Sequence, residues 1–344
     1  MKVTCTDDVL DLLDAHFTST ALGAALEMGL FRLLAERPLH PAGVAQALGI
    51  PVGRCNFWLQ ILSRAGLIEE TAAGYQPSAI ALSAILGAYT AETWALLAEE
   101  ARERLPGLRD LPLRIRQAGS TWAASGPTPK DYVARMADDP ERARRFTRML
   151  REIHTPLAEE IERSLDLAGV SRLMDLGGGS GVVSLSLARR RPGLTAVVVD
   201  VASVCAAGRE IAAEESLEER VRYHPADFLR DDLPGGFDMV LECDVNVFSQ
   251  DLFRKVHAAL LPGGRFVIVD QLSPAPGIAP ASWLHWAFER SLIDPGFTGP
   301  PTAAEVRALL QAAGFRVLSE TTLSPIPGVA ARDTRDMTLI DATR

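Results

Sequence analysis

The feature that most constrains the fold is an alternation of strand and helix patterns that begins near residue 170. Strand patterns cover 171–176, 195–201, 221–227, 237–245, 262–271 and 316–323, and helix patterns end near 190 or cover 203–216, 249–260 and 302–315. Strands that alternate with helices in this way form a parallel sheet with helices on both faces. The sequence therefore predicts an α/β fold with a Rossmann-like sheet in its second half.

The chain begins with a long helical pattern. Residues 7–36 repeat apolar residues at spacings of three and four, and the stretch "TALGAALEMGLF" is small and apolar on several faces. A helix of this kind is usually buried between subunits or domains, and an ordinary core helix is the alternative. We therefore expect a homodimer that uses residues 7–36.

The next segment has the pattern of a winged helix-turn-helix. Helix patterns over 41–48 and 52–65 are followed by a hairpin pattern over 67–77. A DNA-reading second helix would need several cations, but this one offers only Arg54 and Arg64 among large apolar residues. The formal net charge of the chain is −9, whereas nucleic-acid binding needs a basic face. We therefore expect no nucleic-acid partner, and a role for this module in dimerisation and substrate shaping.

Residues 79–165 are also predicted to be mainly helical, with breaks at Pro106, Pro112 and 125–129. These patterns predict three parts of the chain. They are an N-terminal helical, winged-helix dimerisation domain (1–100), a helical linker with substrate-cavity helices (101–165), and a catalytic, cofactor-binding domain (166–344).

The stretch "RLMDLGGGSG" places a glycine-rich loop between the first predicted strand of the sheet and its helix. Ligands of open parallel sheets bind at the carboxyl ends of the strands, so the loop is positioned to hold one. A phosphate-binding P-loop is excluded because the loop has no Lys. The dinucleotide pattern G-x-G-x-x-G fits poorly, since its third glycine would fall on Val182. What remains is D-x-G-x-G-x-G, formed by Asp175, Gly177, Gly179 and Gly181.

An acid ahead of the loop suits a ligand with an ammonium group better than a pyrophosphate, which Asp175 would repel. S-adenosylmethionine (SAM) carries an amino-acid end, a sulfonium and an adenosine, and NAD is the alternative. Asp200 ends the second strand, where a carboxylate can accept hydrogen bonds from both ribose hydroxyls. Asp227 ends the third strand, where it can accept from the adenine amino group while Phe228 packs on the base. The sequence thus predicts SAM as the cofactor.

At these residues the chain resembles the dimeric small-molecule methyltransferases, mostly O-methyltransferases of plant and bacterial secondary metabolism. The similar stretches are "DLGGGSG", "VVVDVASV", "ADFLRDDLPGGFD", "ALLPGGRFVIVD" and the N-terminal winged-helix pattern. The resemblance implies a class I SAM-dependent methyltransferase with a seven-stranded sheet and an active site capped by the N-terminal domain. It implies that Gly177 and Gly179 flank the methionine part, that Asp200 binds the ribose, and that Asp227 and Phe228 bind the adenine. Val201, next to Asp200, is also predicted to bind the cofactor.

The chain departs from this family where its members usually carry a general-base His. Asn246 stands at or next to that position, and an amide cannot take a proton at neutral pH. Asp270 matches one of the family's supporting acids. In the family's C-methyltransferases a His follows the fifth strand, and His285 lies close to that position. We therefore predict Asn246, Asp270 and His285 as catalytic residues, with His154 or Asp244 as further candidates for the base.

Methyl transfer from a sulfonium is a direct displacement, and a base is needed mainly when the nucleophile must lose a proton. The missing His therefore favours C- or N-methylation of a small, aromatic secondary metabolite. An O-methyltransferase with a non-standard base, and a relative that binds SAM without methylating, are the alternatives. No metal site is predicted, because His285 has no second ligand at a recognisable spacing.

The four cysteines are scattered, without a C-x-x-C pair, and are typical of reduced thiols in a cytoplasmic protein. The N-terminus has acids where a signal peptide is apolar. No apolar run approaches the roughly 18 residues that a membrane span needs. We therefore expect a cytoplasmic protein with no membrane association.

Overall fold

The computed structural model describes residues 3–117, 132–280, 283–294, 296–323 and 337–344. The chain divides into two compact units, Met1–Arg109 and Asp110–Arg344. The finer division predicted above, with a separate helical part over 101–165, stays a prediction.

The first unit is helical with one small hairpin. Its elements are α1 (Thr6–Glu27), α2 (Leu30–Glu36), α3 (Pro41–Leu48), α4 (Val52–Arg64), β1 (Ile68–Thr71), β2 (Gly74–Pro77), α5 (Ala79–Ala81, continued by a π-helical turn over Leu82–Leu86) and α6 (Ala91–Leu108). The predicted helix–turn–helix and hairpin patterns thus form α3, α4 and the antiparallel pair β1–β2. The core of this unit contains Leu30, Leu34, Leu59 and Leu62, all fully buried.

The prediction of one continuous helix over 7–36 was wrong. The helix ends at Glu27, and a new helix starts at Leu30 after Gly29, which has a left-handed backbone with φ 71°. Glycine adopts this conformation without the steric cost that a side chain adds, so it commonly ends helices.

The second unit carries the large sheet. Its helices are α7 (Leu111–Arg114), α8 (Tyr132–Asp138), α9 (Pro140–Ser164), α10 (Val182–Arg190), α11 (Ala202–Glu214), α12 (Gln250–Ala259), α13 (Leu284–Ile293) and α14 (Ala303–Ala312). Its strands are β3 (Arg172–Leu176), β4 (Thr195–Asp200), β5 (Val221–Pro225), β6 (Phe237–Cys243), β7 (Leu260–Gln271), β8 (Arg316–Thr322) and β9 (Met337–Thr343). They form a seven-stranded sheet in the order β5-β4-β3-β6-β7-β9-β8.

The expectation of a purely parallel sheet needs one correction. Strand β9 runs antiparallel to both of its neighbours, β7 and β8. It ends the chain without a following helix, so the alternation of strand and helix patterns did not reveal it. An antiparallel strand needs no helical crossover and is common at the edge of an otherwise parallel sheet.

The strand order reverses at β3, whose neighbours are β4 on one side and β6 on the other. The chain moves outward through β4 and β5 and then returns to β6, so the loops after β3 and β6 diverge over a crevice. The strands that border this switch point are apolar and buried, for example at Met174, Val199 and Leu241. This rigid core fixes the loops at the carboxyl ends of the strands.

Within the described ranges, no single helix combines the length and apolarity that crossing a membrane requires. The pair Ala79–Leu86 and Ala91–Leu108, bent by 89°, meets that test only when the two helices are taken together.

Candidate active site

The glycines of the loop after β3 are needed for two different reasons, packing inside the protein and open space beside the loop. Gly177, Gly179 and Gly181 all have left-handed backbones, with φ of 67°, 56° and 72°. A Cβ on Gly178 would lie 2.4 Å from the Asp175 carboxyl carbon, and one on Gly181 would lie 2.5 Å from a tyrosine hydroxyl. These glycines are therefore required by packing inside the protein.

Gly179 is different, because a Cβ there would meet no atom of the described residues within 4 Å. The open space belongs to a cavity of about 500 Å³, which we call the strand-end cavity. Its lining comes from α8, α9, α13 and the loops after β3, β4, β5 and β6. It includes Tyr132, Val133, Phe146, Leu150, His154, Gly177, Gly179, Asp200, Val201, Asp227, Phe228, Asp244, Val245, Val247 and Trp286. Six of the eight residues predicted to bind the cofactor thus line one cavity.

Asp200 lies at the bottom of this cavity, with only 3% of its surface exposed. Its carboxylate accepts hydrogen bonds from the backbone N–H of Gly179 at 3.0 Å and of Val201 at 2.7 Å. The Tyr132 hydroxyl lies 3.5 Å from the same carboxylate. Burial raises the pKa of Asp200 to about 6, although these hydrogen bonds oppose the rise.

Asp175 lies beneath the loop and does not line the strand-end cavity. It is 1% exposed, and it accepts a hydrogen bond from the Ser184 hydroxyl at 2.7 Å. Burial, together with the nearby charge of Asp200, raises its pKa to about 6. Its Oδ1 atom is buried without a hydrogen-bond partner in the described part of the chain. Asp175 and Gly181 therefore shape the loop from below, while Gly179 faces the cavity.

Asp227 and Phe228 follow β5 and are both half-buried at the cavity wall. Asp227 Oδ1 accepts the backbone N–H of Leu229 at 3.1 Å, which fixes the carboxylate at the start of its loop. The Phe228 ring packs against the apolar core and approaches Gly177. A carboxylate and an aromatic ring thus stand side by side, as the sequence predicted.

A buried acidic pair lies at the ends of β6 and β7. Asp270 is fully buried and accepts the backbone N–H of Asn246 at 3.0 Å and of Gln271 at 2.7 Å. Burial and the charge of Asp244 raise the pKa of Asp270 well above its usual range, and burial beside Asp270 does the same for Glu242. Asp270 therefore holds the loop after β6 in place from below.

Two residues that the sequence analysis named as separate candidates for the base contact each other in the structure. His154 on α9 and Asp244 in the loop after β6 both line the strand-end cavity, with Nε2 and Oδ2 3.2 Å apart. Asp244 Oδ1 also accepts a hydrogen bond from the Asn246 side chain at 3.2 Å. Sequence reasoning missed this contact, although one signal was present: His154 shares the apolar face of α9 with Leu150, Leu157 and Ile161, at spacings of three and four.

His285, predicted as a catalytic residue, does not line the strand-end cavity. Its side chain is exposed on α13 and is absent from the described lining of the strand-end cavity. Trp283 and Trp286 contact each other, with ring centroids 4.5 Å apart, and of these two only Trp286 reaches the cavity. Asn246 lines an adjacent open groove of about 700 Å³, which shares Trp286 with the strand-end cavity.

The residues present suit SAM. The cavity has the size of a small-molecule site, its glycine wall is open where a side chain would intrude, and acids stand at the ends of β4 and β5. An open α/β sheet with such a loop and these acids at its switch point is the arrangement expected of a Rossmann-like, class I methyltransferase.

Comparison with known proteins agrees with this class. Residues 118–316 match the O-methyltransferase domain family. The chain is 32% identical to 3-hydroxy-5-methyl-1-naphthoate 3-O-methyltransferase of Streptomyces sahachiroi over 76% of each protein. It is 29% identical to the N,N-dimethyltransferase OxyT of Streptomyces rimosus over 90% of each. The chain therefore belongs to the O-methyltransferase domain family, and it is a SAM-dependent methyltransferase.

A solved structure supports the fold along the whole chain. Human N-acetylserotonin methyltransferase in complex with SAM superposes with a TM-score of 0.78 at 19% identity, covering 100% of this chain and 99% of the other.

Proposed function

We propose that this methyltransferase transfers the methyl group of SAM to a small aromatic secondary metabolite bound in the strand-end cavity. The supporting observation is the cavity itself, in which Gly179 and Asp200 stand opposite an apolar wall that includes Phe146, Leu150 and Trp286. Aromatic and aliphatic side chains favour a flat, apolar acceptor. One of the similar proteins, from Streptomyces sahachiroi, is named for a naphthoate, an aromatic acceptor, which supports this choice.

In this proposal the chain holds the cofactor through its strand ends. Gly177 and Gly179 lie beside the methionine part, Asp200 and Val201 at the ribose, and Asp227 and Phe228 at the adenine. Asp175 and Gly181 keep the loop in shape. When bound, SAM supplies a methyl group on a sulfonium. A nucleophile of the acceptor attacks the methyl carbon, and the sulfur is the leaving group. The residues around the cavity exclude water and align the acceptor, and alignment contributes much of the rate of such a reaction.

The cofactor site is tested with Gly179→Val, because a branched side chain would fill the open space beside the loop. We expect calorimetric binding of S-adenosylhomocysteine (SAH) to be lost or to weaken by at least about 100-fold, which corresponds to about 2.7 kcal/mol. Gly169→Val is the matched control, since Gly169 also has a left-handed backbone (φ 76°) and open surroundings but precedes β3. Equal SAH affinity in the two variants would contradict the assignment.

We also propose a homodimer that forms through α1. Several large apolar side chains of α1 are about half exposed or more in the single chain: Val9, Leu10, Leu12, Leu13 and Phe17. Monomers seldom leave so many adjacent apolar side chains in water. A second copy of the same helix would cover them by symmetric pairing.

We propose a cytoplasmic location for the enzyme. The four cysteines are free thiols, two of them buried, and none is paired in a disulfide among the described residues. Reduced thiols of this kind are typical of cytoplasmic proteins.

A further inference from the structure

We propose that His154 and Asp244 act together as the base that removes a proton from a hydroxyl group of the acceptor, so that the methyl group is transferred to oxygen. This inference rests on the proposed function. The names of the similar proteins include both O- and N-methyltransferases, so they do not decide which atom is methylated. The decision has to come from the cavity of this chain.

The two side chains of the pair lie close together at the wall of the strand-end cavity. His154 Nε2 and Asp244 Oδ2 lie 3.2 Å apart, and their side chains are 18% and 21% exposed. Both line the same cavity as Gly179 and Asp200. An imidazole and a carboxylate are thus held next to the space where the acceptor would lie, shielded from most of the solvent.

The loop that carries Asp244 is fixed by its backbone conformation and by backbone hydrogen bonds. Asp244 and Asn246 have left-handed backbones, with φ of 55° and 60°, which is uncommon for residues other than glycine. The backbone N–H of Asp244 donates to Val269 at 2.9 Å, and that of Asn246 donates to Asp270 at 3.0 Å. Asp and Asn are the residues other than glycine that adopt this conformation most readily, and the two backbone hydrogen bonds hold the loop in it.

Both partners of the pair are held in place by neighbouring side chains. The Asn246 amide donates to Asp244 Oδ1 at 3.2 Å, which leaves Oδ2 directed to His154. Helix α9 is tied to α11 and the residue after it by ion pairs from Arg148 to Glu214 and from Arg151 to Glu215. The imidazole and the carboxylate therefore keep their relative geometry while an acceptor binds.

The acceptor hydroxyl gives its proton to the pair, whose net charge changes from −1 to 0, and the carboxylate stabilises the imidazolium that results. The electron pair of the acceptor oxygen forms the new C–O bond to the methyl carbon. The S–CH₃ bond breaks, and its electron pair stays on the sulfur of SAH. No further oxidant, reductant or cofactor is needed.

A hydroxyl acceptor needs this pair most. An un-ionised phenol is a weak nucleophile, and an apolar wall of Phe146 and Leu150 disfavours its ionised form unless a base is held beside it. A neutral amine already offers a lone pair, and an electron-rich aromatic carbon attacks before it loses its proton. The pair is therefore matched to an acceptor that binds with its O–H intact.

The test uses the full chain and two acceptors that differ in ionisation at about pH 7.5. One is 2-naphthol, which keeps its proton, and the other is a nitro-substituted naphthol, which has lost it. For His154→Ala and Asp244→Asn we expect kcat with 2-naphthol to fall by about 10²- to 10⁴-fold, the usual range for a positioned base. With the ionised naphthol the loss of kcat should stay below about 10-fold. Added imidazole should partly restore the kcat of His154→Ala with 2-naphthol but should not change it with the ionised naphthol.

The controls separate this role from a structural one. Asn is among the residues that best tolerate a left-handed backbone, so Asp244→Asn keeps the loop, and SAH binding by each variant confirms that the cofactor site is folded. His224→Ala, an exposed substitution on β5, should behave as the wild type. Equal losses with both naphthols, or no loss, would overturn the inference.

A wider acceptor panel keeps the two proposals distinguishable. It adds naphthylamines and electron-rich indoles, and SAH release is measured with each. If the wild type methylates only amines or carbons, the hydroxyl inference fails while the proposed function stands. If it methylates no member of the panel, the proposed function fails as well.

Discussion

Among single residues, Asp200 is the one that we expect to make SAH binding depend on pH. Its carboxylate accepts the N–H groups of Gly179 and Val201, and burial raises its pKa to about 6. If SAH binds to the ionised form, lowering the pH below about 6 protonates Asp200 and removes an acceptor for the ribose hydroxyls. We expect SAH affinity measured by calorimetry to be about 10-fold weaker at about pH 5 than at about pH 8.

Two variants decide whether this dependence belongs to Asp200. Asp200→Asn should bind SAH more weakly at high pH and should show little further change between the two pH values. Asp175→Asn should keep most of the pH dependence, because Asp175 lies under the loop and does not line the cavity. A wild-type affinity that does not change, or that rises on acidification, would contradict the assignment.

Sequence reasoning at this scale worked where a residue's position along a strand fixes its place in space. Asp200 and Asp227 follow strand ends, so their convergence at one edge of the sheet could be predicted. The contact between His154 and Asp244 could not, since it depends on how α9 packs over the sheet. His285 was chosen by similarity of position, and the structure leaves its side chain exposed.

At the scale of elements, prediction depended on how regular the signal was. From β3 to β8 strand and helix patterns mostly alternate, and every strand of this part was predicted, whereas α13, between β7 and β8, was not among the predicted helix patterns. Strand β9 has no helix after it, so its antiparallel pairing required three-dimensional information. The break between α1 and α2 was signalled by Gly29, but the apolar spacing continues across it and concealed the boundary.

Helix α1 carries the next prediction. Leu13 and Phe17 lie four residues apart on one face and are 68% and 57% exposed in the single chain. If a second copy covers this face, the double variant Leu13→Asp, Phe17→Asp should place charges in the interface and dissociate the dimer. Light scattering should then give the mass of one 37.1 kDa chain, whereas the wild type gives twice that mass.

The matched control for α1 is Leu318→Asp, which places the same charge at an exposed apolar position on β8 in the other unit. It should leave the mass of the dimer unchanged. A wild type that scatters as a single chain at micromolar concentration would refute the dimer.

At the scale of the whole molecule, the two units have different roles. Every residue proposed to hold SAM lies in the second unit, Asp110–Arg344, whose sheet fixes the four loops around the strand-end cavity. The first unit has its own core. The sequence predicted its helix-turn-helix and hairpin but placed one helix over 7–36 where the structure has two, and its predicted role in dimerisation stays a proposal. The alternation of strands and helices and the glycine loop were sufficient to predict the class of the second unit, because both can be found in the order of the residues alone.

This division predicts where bound SAH changes the dynamics of the chain. A ligand that binds only the folded protein stabilises it, by about 2.7 kcal/mol at a concentration 100 times Kd. Amide hydrogen exchange should therefore slow most in the loops that begin at Gly177, Asp200, Asp227 and Asp244, where the local opening of the backbone competes with binding. Peptides from α1 to α4 in the first unit should exchange at the rate of the free protein. Gly179→Val should abolish the slowing while Gly169→Val keeps it, and equal slowing of both units would show that the cofactor site is not confined to the second.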